Sequence, residues 1–574
     1  MGKIFRNFKW YEYLLILLNV AIVVTQVYFE MELIDKMAEL IGKVQAVETV
    51  ASIWRSGRMM LLYAGIIMVG SIASAGLVTY ISSKFSERLR ADVFRTVNGF
   101  SQEEINKFST ASLITRSTND VTQIQTTMQM VLRAGIMAPT MTIFSIINMV
   151  NSSAQLSWTT GISVIVMFVL FGLLFFLVVP AFNKIQKQTD RLNSVTRENL
   201  TGVRVVRAYN TEKLQEEKFD GVNKELTKLN LYTGRVMSMM NPFMNLIFNG
   251  LTLAIYWLGA YLINTTSLVY SDLVAFTQYG MHILMGFMFL SMIIVMLPRA
   301  IVSGKRIGEV LGTKTKIVPG TFDGETEVKG KVEFRNVSFR YPDAEMNVLE
   351  NINFVANQGE TVAFIGSTGS GKSTLVNLIP RFFDVSYGQI LIDGVDVKEY
   401  THDALNKKLG FVPQKGVLFS GTVEENVKYG AEDISEEEVQ RALKISQSDF
   451  VKKLDGGLQY EVAQGGTNVS GGQRQRLCIA RAIAKSPEIY VFDDSFSALD
   501  YKTDKKLRKA LAKNTKDATK IIVAQRVGTI MDADKIIVLD NGRMVGMGTH
   551  KELLENCDVY KEIALSQLSK EELQ

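Results

Sequence analysis

The hydrophobic pattern divides the chain into two halves. Up to Pro298 the apolar residues come in long runs, and after it they come in short ones. A segment needs ~20 mostly apolar residues to cross a bilayer. Six runs meet that length: Tyr13 to Met31, Met59 to Ser82, Ala134 to Val150, Trp158 to Phe182, Met237 to Ile263 and Leu273 to Leu297. They predict six membrane-spanning helices. The first run follows Lys3, Arg6 and Lys9, as the core of a signal peptide would. It is too long for one, no small-residue cleavage site follows it, and Glu30 and Glu32 come next, so a retained span is expected. Beyond Pro298, KVEFRNVSFRYP alternates with period two, and ETVAFIGSTGSGKSTLVNLI reads strand, glycine loop, helix. The expected organisation is a helical transmembrane domain over 1–310, a linker over 311–330 and a soluble α/β domain over 331–574.

Charge orients the spans. Lys84, Arg88, Arg90, Arg95, Lys107 and Arg116 lie between the second and third, and Lys184 to Arg235 holds many more between the fourth and fifth. The connections around Asn151 to Ser157 and Asn264 to Asp272 carry no Lys or Arg. The positive-inside rule puts both termini and the two long loops in the cytoplasm of a multi-pass protein of the plasma membrane. Those loops are helical in pattern, so the spans are expected to run on past the bilayer. The formal net charge of +5 on 574 residues gives no reason to infer a nucleic-acid partner. Cys478 and Cys557, the two cysteines, both fall in the soluble half, which fits a reducing compartment and no disulfide scaffold.

Two polar or soft faces occur inside the spans. Met281, Met285, Met288, Met292 and Met296 share one face of the sixth, and Asn241, Asn245 and Asn249 share one face of the fifth. A methionine surface adapts to many shapes, and an amide in a span must face protein or a watery cavity. Both faces are open to two readings, a substrate cavity or ordinary helix-to-helix packing.

The chemistry is in the second half. Gly366, Ser367, Thr368, Gly369, Ser370, Gly371, Lys372 and Ser373 match G-x-x-x-x-G-K-[ST] at every fixed position, with Thr374 following. Strand before and helix after is the context this phosphate-binding loop requires. Its amides, the helix dipole and Lys372 face anionic phosphates, and Ser373 can ligate Mg2+. Asp493 ends the apolar run IYVFD, where a second magnesium-side acid belongs.

A further stretch, NVSGGQRQRLCIARAI, carries Ser470, Gly471, Gly472 and Gln473 at a helix start. This resembles the signature of ABC ATPases, and the resemblance covers the whole chain: six spans with long cytoplasmic loops followed by one ATPase domain look like an ABC exporter half-transporter. It implies a six-span exporter-type domain followed by an α/β P-loop ATPase domain that uses ATP and Mg2+. It also implies roles for single residues. Tyr341 would stack on adenine, Gln414 would sense magnesium and the membrane domain, and Asp500 would be the D-loop acid. Short transverse helices near Phe108 to Leu113 and Val205 to Asn210 would dock on ATPase domains. In this family two ATPase domains meet head to tail, so Ser470 to Gln473 serve the ATP held by the partner chain.

Two departures stand out. The family's base is Glu directly after the magnesium Asp, and here it is Asp494. The family's switch residue is His, and in IIVAQRVGTI Gln525 occupies its place. Asp sets its carboxylate back by one C–C bond, and a misplacement of ~1 Å can cost ~100-fold in rate. Gln has no useful proton equilibrium. Together they describe a site kept for binding and released from hydrolysis, beside an intact signature. That pattern resembles the degenerate-site subunit of bacterial heterodimeric multidrug exporters of the LmrCD and EfrCD type. It implies a partner half-transporter with an intact site, and amphipathic drugs or lipids as cargo. A third departure, Gln464 where many exporters have Glu, touches the relay to the partner's membrane helices. The rival readings are a lipid or peptide exporter of the same architecture, and a regulatory nucleotide receptor that does not pump. Met1 to Lys9 leaves no room for the N-terminal peptidase domain that would favour peptides. Six spans exclude a soluble ABC protein acting on DNA.

Overall fold

A computed structural model describes residues 8–265, 269–342, 344–431 and 433–568. The chain forms two compact units, one of residues up to Asn98 with Ala111–Gly312, the other of Gly99–Thr110 with the residues from Thr313 onward.

Among the described residues the first unit contains six helices long and apolar enough to span a membrane: α1 (Trp10–Gln45), α2 (Val50–Asn98), α3 (Thr110–Ser152), α4 (Ala154–Thr201), α5 (Glu212–Ile263) and α6 (Tyr270–Gly312). At 36 to 52 residues and ~1.5 Å per residue, each exceeds the ~30 Å hydrocarbon thickness, so the spans do run on past it. Polar groups tie them together. Asn19 of α1 is fully buried; its amide donates to Leu132 O of α3 at 2.9 Å and accepts from Ser74 Oγ of α2 at 2.7 Å. Such a bridge between helices replaces bonds that lipid cannot offer. Glu12 is also fully buried; both its oxygens accept from Arg88 at 2.6 Å, and Oε2 accepts as well from Lys9 N at 3.0 Å. Gly286 lets α6 approach α3 closely, because a Cβ there would lie 2.3 Å from Thr142 Oγ1. In the most apolar window of each span only 11–28% of residues are buried. The remaining apolar faces need lipid or further helices to cover them.

Short helices interrupt the long ones near the expected transverse segments. Gln102–Phe108 ends at Ser109, whose φ is 61°, and Thr110–Ser117 follows it into α3. Val203–Ala208 lies between α4 and α5; Val206 is buried, while Val205 and Tyr209 are exposed.

In the second unit a six-stranded sheet runs β12-β11-β3-β10-β9-β6, from Arg543–Gly548, Lys535–Asp540, Thr361–Gly366, Thr519–Val523, Ile489–Asp493 and Leu409–Val412. All its pairs are parallel except β11 with β12. β9 and β10 are buried at every position, and β9 accordingly reads as an apolar run up to Asp493. A four-stranded antiparallel sheet, β2-β1-β4-β5, comes from Leu349–Ala356, Val332–Phe339, Tyr387–Ile392 and Val395–Asp396, and β7 (Gly421–Thr422) pairs antiparallel with β8 (Glu461–Val462). The chain after β3 and Asp493 at the end of β9 both leave the carboxyl edge of the parallel sheet, where α/β ligands gather.

α6 runs to Gly312, where the stretch 311–330, expected as a linker, begins. Beyond that, Gly320 N donates to Tyr400 O and Phe322 N to Glu399 O, both at 2.9 Å, and the Phe322 ring packs edge-on to Tyr400 at 5.0 Å. Much of the stretch is therefore an extra edge of the second unit. The same unit takes in Glu104, which accepts from Lys316 N at 3.3 Å.

Candidate nucleotide site

The glycine loop joins β3 to α7 (Lys372–Leu378). Its glycines have local causes. Gly371 caps α7 at φ 93°, and a Cβ there would sit 2.7 Å from Leu349 Cδ2. A Cβ on Gly366 would lie 2.1 Å from Leu539 O. The loop curls around Lys372, whose Nζ donates to Gly366 O at 2.9 Å and Ser367 O at 2.7 Å. Burial holds this ammonium below the usual lysine range. A backbone loop closed around a shielded cation at a helix start is a cradle for phosphate.

Beside it, Ser373 Oγ donates to Asp493 Oδ1 at 2.8 Å. Burial pushes the Asp493 carboxyl up, and the neighbouring Asp494 adds to that push. A hydroxyl and a carboxylate, both hard oxygens, fit Mg2+, which is commonly bound by one or two protein oxygens together with phosphate and water. Tyr341 is partly buried; its hydroxyl is 3.1 Å from Thr374 Oγ1 and its ring packs edge-on to Phe339 and Phe383.

Asp494 is 7% exposed and has φ 48°, a left-handed conformation that Asp tolerates better than most residues. Its Oδ2 accepts from Gln525 Nε2 at 2.8 Å and more weakly from Gln414 Nε2 at 3.4 Å. Burial again pushes its carboxyl up. The structure thus brings together Lys372, the bonded pair Ser373–Asp493 and the bonded trio Gln414–Asp494–Gln525, with Lys372 close enough to feel the charge of both carboxylates.

The signature is built differently. Ser470 caps α8 (Gly471–Ala484): its Oγ accepts from Gln473 N at 3.3 Å, and Gln473 Oε1 accepts from Ser470 N at 2.9 Å. Ser470 and Gly471 are exposed, Gly472 and Gln473 half-buried. No hydrogen bond among the described residues links this cap to the glycine loop. Asp500 is an exposed N-cap of α9 (Tyr501–Asn514), accepting from Thr503 N at 2.9 Å, and hydrogen bonding with Thr503, through its side chain first and its backbone second, holds the carboxyl below the usual range. Gln464 is exposed in a short turn over Gln464–Gly466.

The two faces in the spans lie outside this chain's own core. Met285 and Met292 are exposed and Met288 is partly covered, while Ile283 and Leu284 pack inward. Asn241, Asn245 and Asn249 are exposed, and Asn249 Nδ2 donates back to Asn245 O at 2.8 Å.

Two glutamines were missed by sequence reasoning. Gln475, buried on α8, donates to Pro413 O and accepts from Gly416 N, both at 3.2 Å, tying the signature helix to the Gln414 loop. Gln567, on α10 (Asp558–Gln567), donates to Gln525 O and accepts from Val527 N, both at 2.8 Å. Only the inward position of Gln475 on an otherwise apolar helix face hinted at the first; nothing local marks the second.

The sequence model named ABC transporter matches residues 349–497, and that named ABC transporter transmembrane region matches 13–288. An uncharacterized ABC transporter ATP-binding protein of Mycobacterium tuberculosis, MT1311, is 40% identical over 535 residues, covering 92% of each chain. This chain belongs to the ABC transporter family. A second ABC transporter relative, the uncharacterized ATP-binding protein YfiB of Bacillus subtilis, is 34% identical over 528 residues and 90% of each chain. One membrane region and one ATP-binding domain make this ABC transporter a half-transporter. Its fold is that of a solved bacterial Atm1-family ABC exporter with ATP bound, at TM-score 0.76 and 23% identity, covering 97% of this chain and 98% of the other.

Proposed function

We propose that this half-transporter is the degenerate-site subunit of a heterodimeric exporter in the plasma membrane, with both termini and the nucleotide unit in the cytoplasm. The observation that carries the reading is the Asp494–Gln525 pair. A general base must reach the proton it abstracts and must be free to take it. Asp494 is one carbon short of the family's Glu, and its oxygen is engaged by Gln525 at 2.8 Å. Gln525 donates but cannot relay a proton or bring charge. The binding residues remain in place: Lys372 and the loop amides hold phosphate, Tyr341 offers a ring to adenine, and Ser373 and Asp493 would hold Mg2+. That ion would neutralise phosphate charge when bound. The exposed Ser470 cap is free to meet ATP held by a partner chain that supplies Glu and His. ATP binding would close the two nucleotide units and turn the membrane cavity outward; hydrolysis at the partner's site would reset it.

The chain purified alone should bind ATP and hydrolyse it at least ~100-fold more slowly than the co-expressed pair. Rapid magnesium-dependent hydrolysis by the lone chain would overturn the reading. ATP binding by the pair without vectorial transport after reconstitution would favour a regulatory receptor instead. The cargo is proposed to be amphipathic drugs or lipids. The exposed Met285 and Met292 and the exposed Asn row support it, because soft apolar and amide surfaces suit such molecules.

A further inference from the structure

The stretch Ala524–Gln525–Arg526 leaves β10 and carries the residue that faces Asp494. Its first backbone group is secured by the sheet, since Ala524 N donates to Phe364 O at 3.1 Å. The next groups belong to no ladder. They are held instead by one side chain from the far end of the sequence. The Gln567 amide donates to Gln525 O and accepts from Val527 N, both at 2.8 Å. A carbonyl and the N–H two residues later point to the same side of an extended segment, so this amide does what a neighbouring strand would do. Gln567 is itself fixed. Tyr560, Ala564 and Gln567 step by four and three along one face of α10, and the first two are fully buried. Tyr560 OH is further tied to His550 Nδ1 at 2.6 Å.

We propose that Gln567 is a positioning residue of the nucleotide site: its amide sets the backbone of the switch stretch so that Gln525 reaches Asp494. The inference rests on this chain's glycine-loop site binding ATP, as proposed above. It makes α10 part of the nucleotide site. Gln567 touches neither nucleotide nor Asp494; it acts through Gln525. Gln567 and Gln525 are both exposed, so water competes for part of this clamp. The effect expected of such a pair of hydrogen bonds is about 3- to 10-fold.

Gln567→Met is the cleanest variant, because it keeps the side chain's length and packing and removes both hydrogen bonds. The assembled full-length transporter is loaded with 8-azido-ATP and chased with unlabelled ATP. Photolabel remaining on this chain's glycine-loop fragment gives the rate of nucleotide loss. Gln567→Met and Gln525→Ala should each speed the loss about 3- to 10-fold. The double variant should lose nucleotide no faster than Gln525→Ala alone, because the first residue acts through the second. Hydrogen exchange at the Val527 amide, followed in the same samples without nucleotide, should quicken in Gln567→Met while the melting temperature stays within a few degrees. Wild-type retention in Gln567→Met would overturn the inference. So would a double variant whose loss is the product of the two singles, or unchanged protection at Val527. A wild-type chain that takes up no label overturns the nucleotide reading itself, and the Val527 exchange still decides whether the clamp exists.

Discussion

Asp494 and Ser470 are 24 positions apart, and in the proposed heterodimer they serve opposite halves of a two-chain ATP site. Asp494 is 7% exposed and its carboxylate is engaged by two amides of its own chain. Ser470 is exposed, and its hydrogen bonds go no further than its own helix cap. The first half-site is turned inward on itself and the second presents an open helix N-terminus. An inward network satisfies a buried polar group at the cost of reactivity. An open N-terminus keeps amide donors for an anion that arrives later. On the proposed reading the comparison separates motif integrity from catalytic competence, and the competent contribution is the one this chain lends.

The largest effect should come from damaging what is lent. Ser470→Arg thrusts a long cation into the partner's ATP site and should lower steady-state turnover of the pair ~100-fold or more, by the scale of an ångström-sized misplacement. Asp494→Ala should cost less than ~3-fold, since on the proposed reading that carboxylate is not the working base. Steady-state ATPase rates of the two mutant pairs decide the matter. Equal losses, or a larger loss for Asp494→Ala, would mean the two half-sites have been assigned the wrong way round.

Next comes repair. Asp494→Glu with Gln525→His restores the length of the base and the titratable switch in this chain's own site. The doubly changed chain, free to pair with itself, should hydrolyse ATP ~10- to 100-fold faster than the unchanged chain. Either change alone should give much less, because base and switch act as a unit. No gain in the double variant would place the defect elsewhere in the site and weaken the contrast with the signature.

Much of this was legible in the sequence because its causes are local. The glycine loop announces itself since only glycine tolerates the close approach to Leu539 O and the φ of Gly371. The six spans are legible because length and apolarity are properties of a single segment. The fully buried β9 is legible as an apolar run for the same reason. What was not legible depends on contacts distant in sequence. Gln567 is 42 residues from Gln525, and no pattern near either predicts their bond. The docking of Phe322 on Tyr400 hid inside what read as a linker, because a single bridging residue has no periodicity to detect. The polar or soft faces of α5 and α6 could be placed on helices, but whether lipid, cargo or a second chain covers them is not written in one sequence.

The smallest effect separates two roles of Ser470. Its Oγ caps α8 by accepting from Gln473 N, and removing such a cap typically costs ~1 kcal/mol. Ser470→Ala should therefore lower the stability of the nucleotide unit by about that amount, seen as a few degrees in melting. Ser470→Asp should keep the cap, since Asp is as good an N-cap as Ser, and should melt within ~0.5 kcal/mol of wild type. On turnover the ranking should invert. Asp places a negative charge where the partner's phosphates would approach the helix, so it should be the more damaging of the two. Ser470→Ala, which leaves the helix dipole and amides in place, should stay within ~3-fold of wild type. Melting and ATPase rate are measured on the same two variants. If turnover simply follows stability, with Ser470→Ala the worse in both, then Ser470 matters as a cap alone and the open half-site has lost its evidence for meeting an anion.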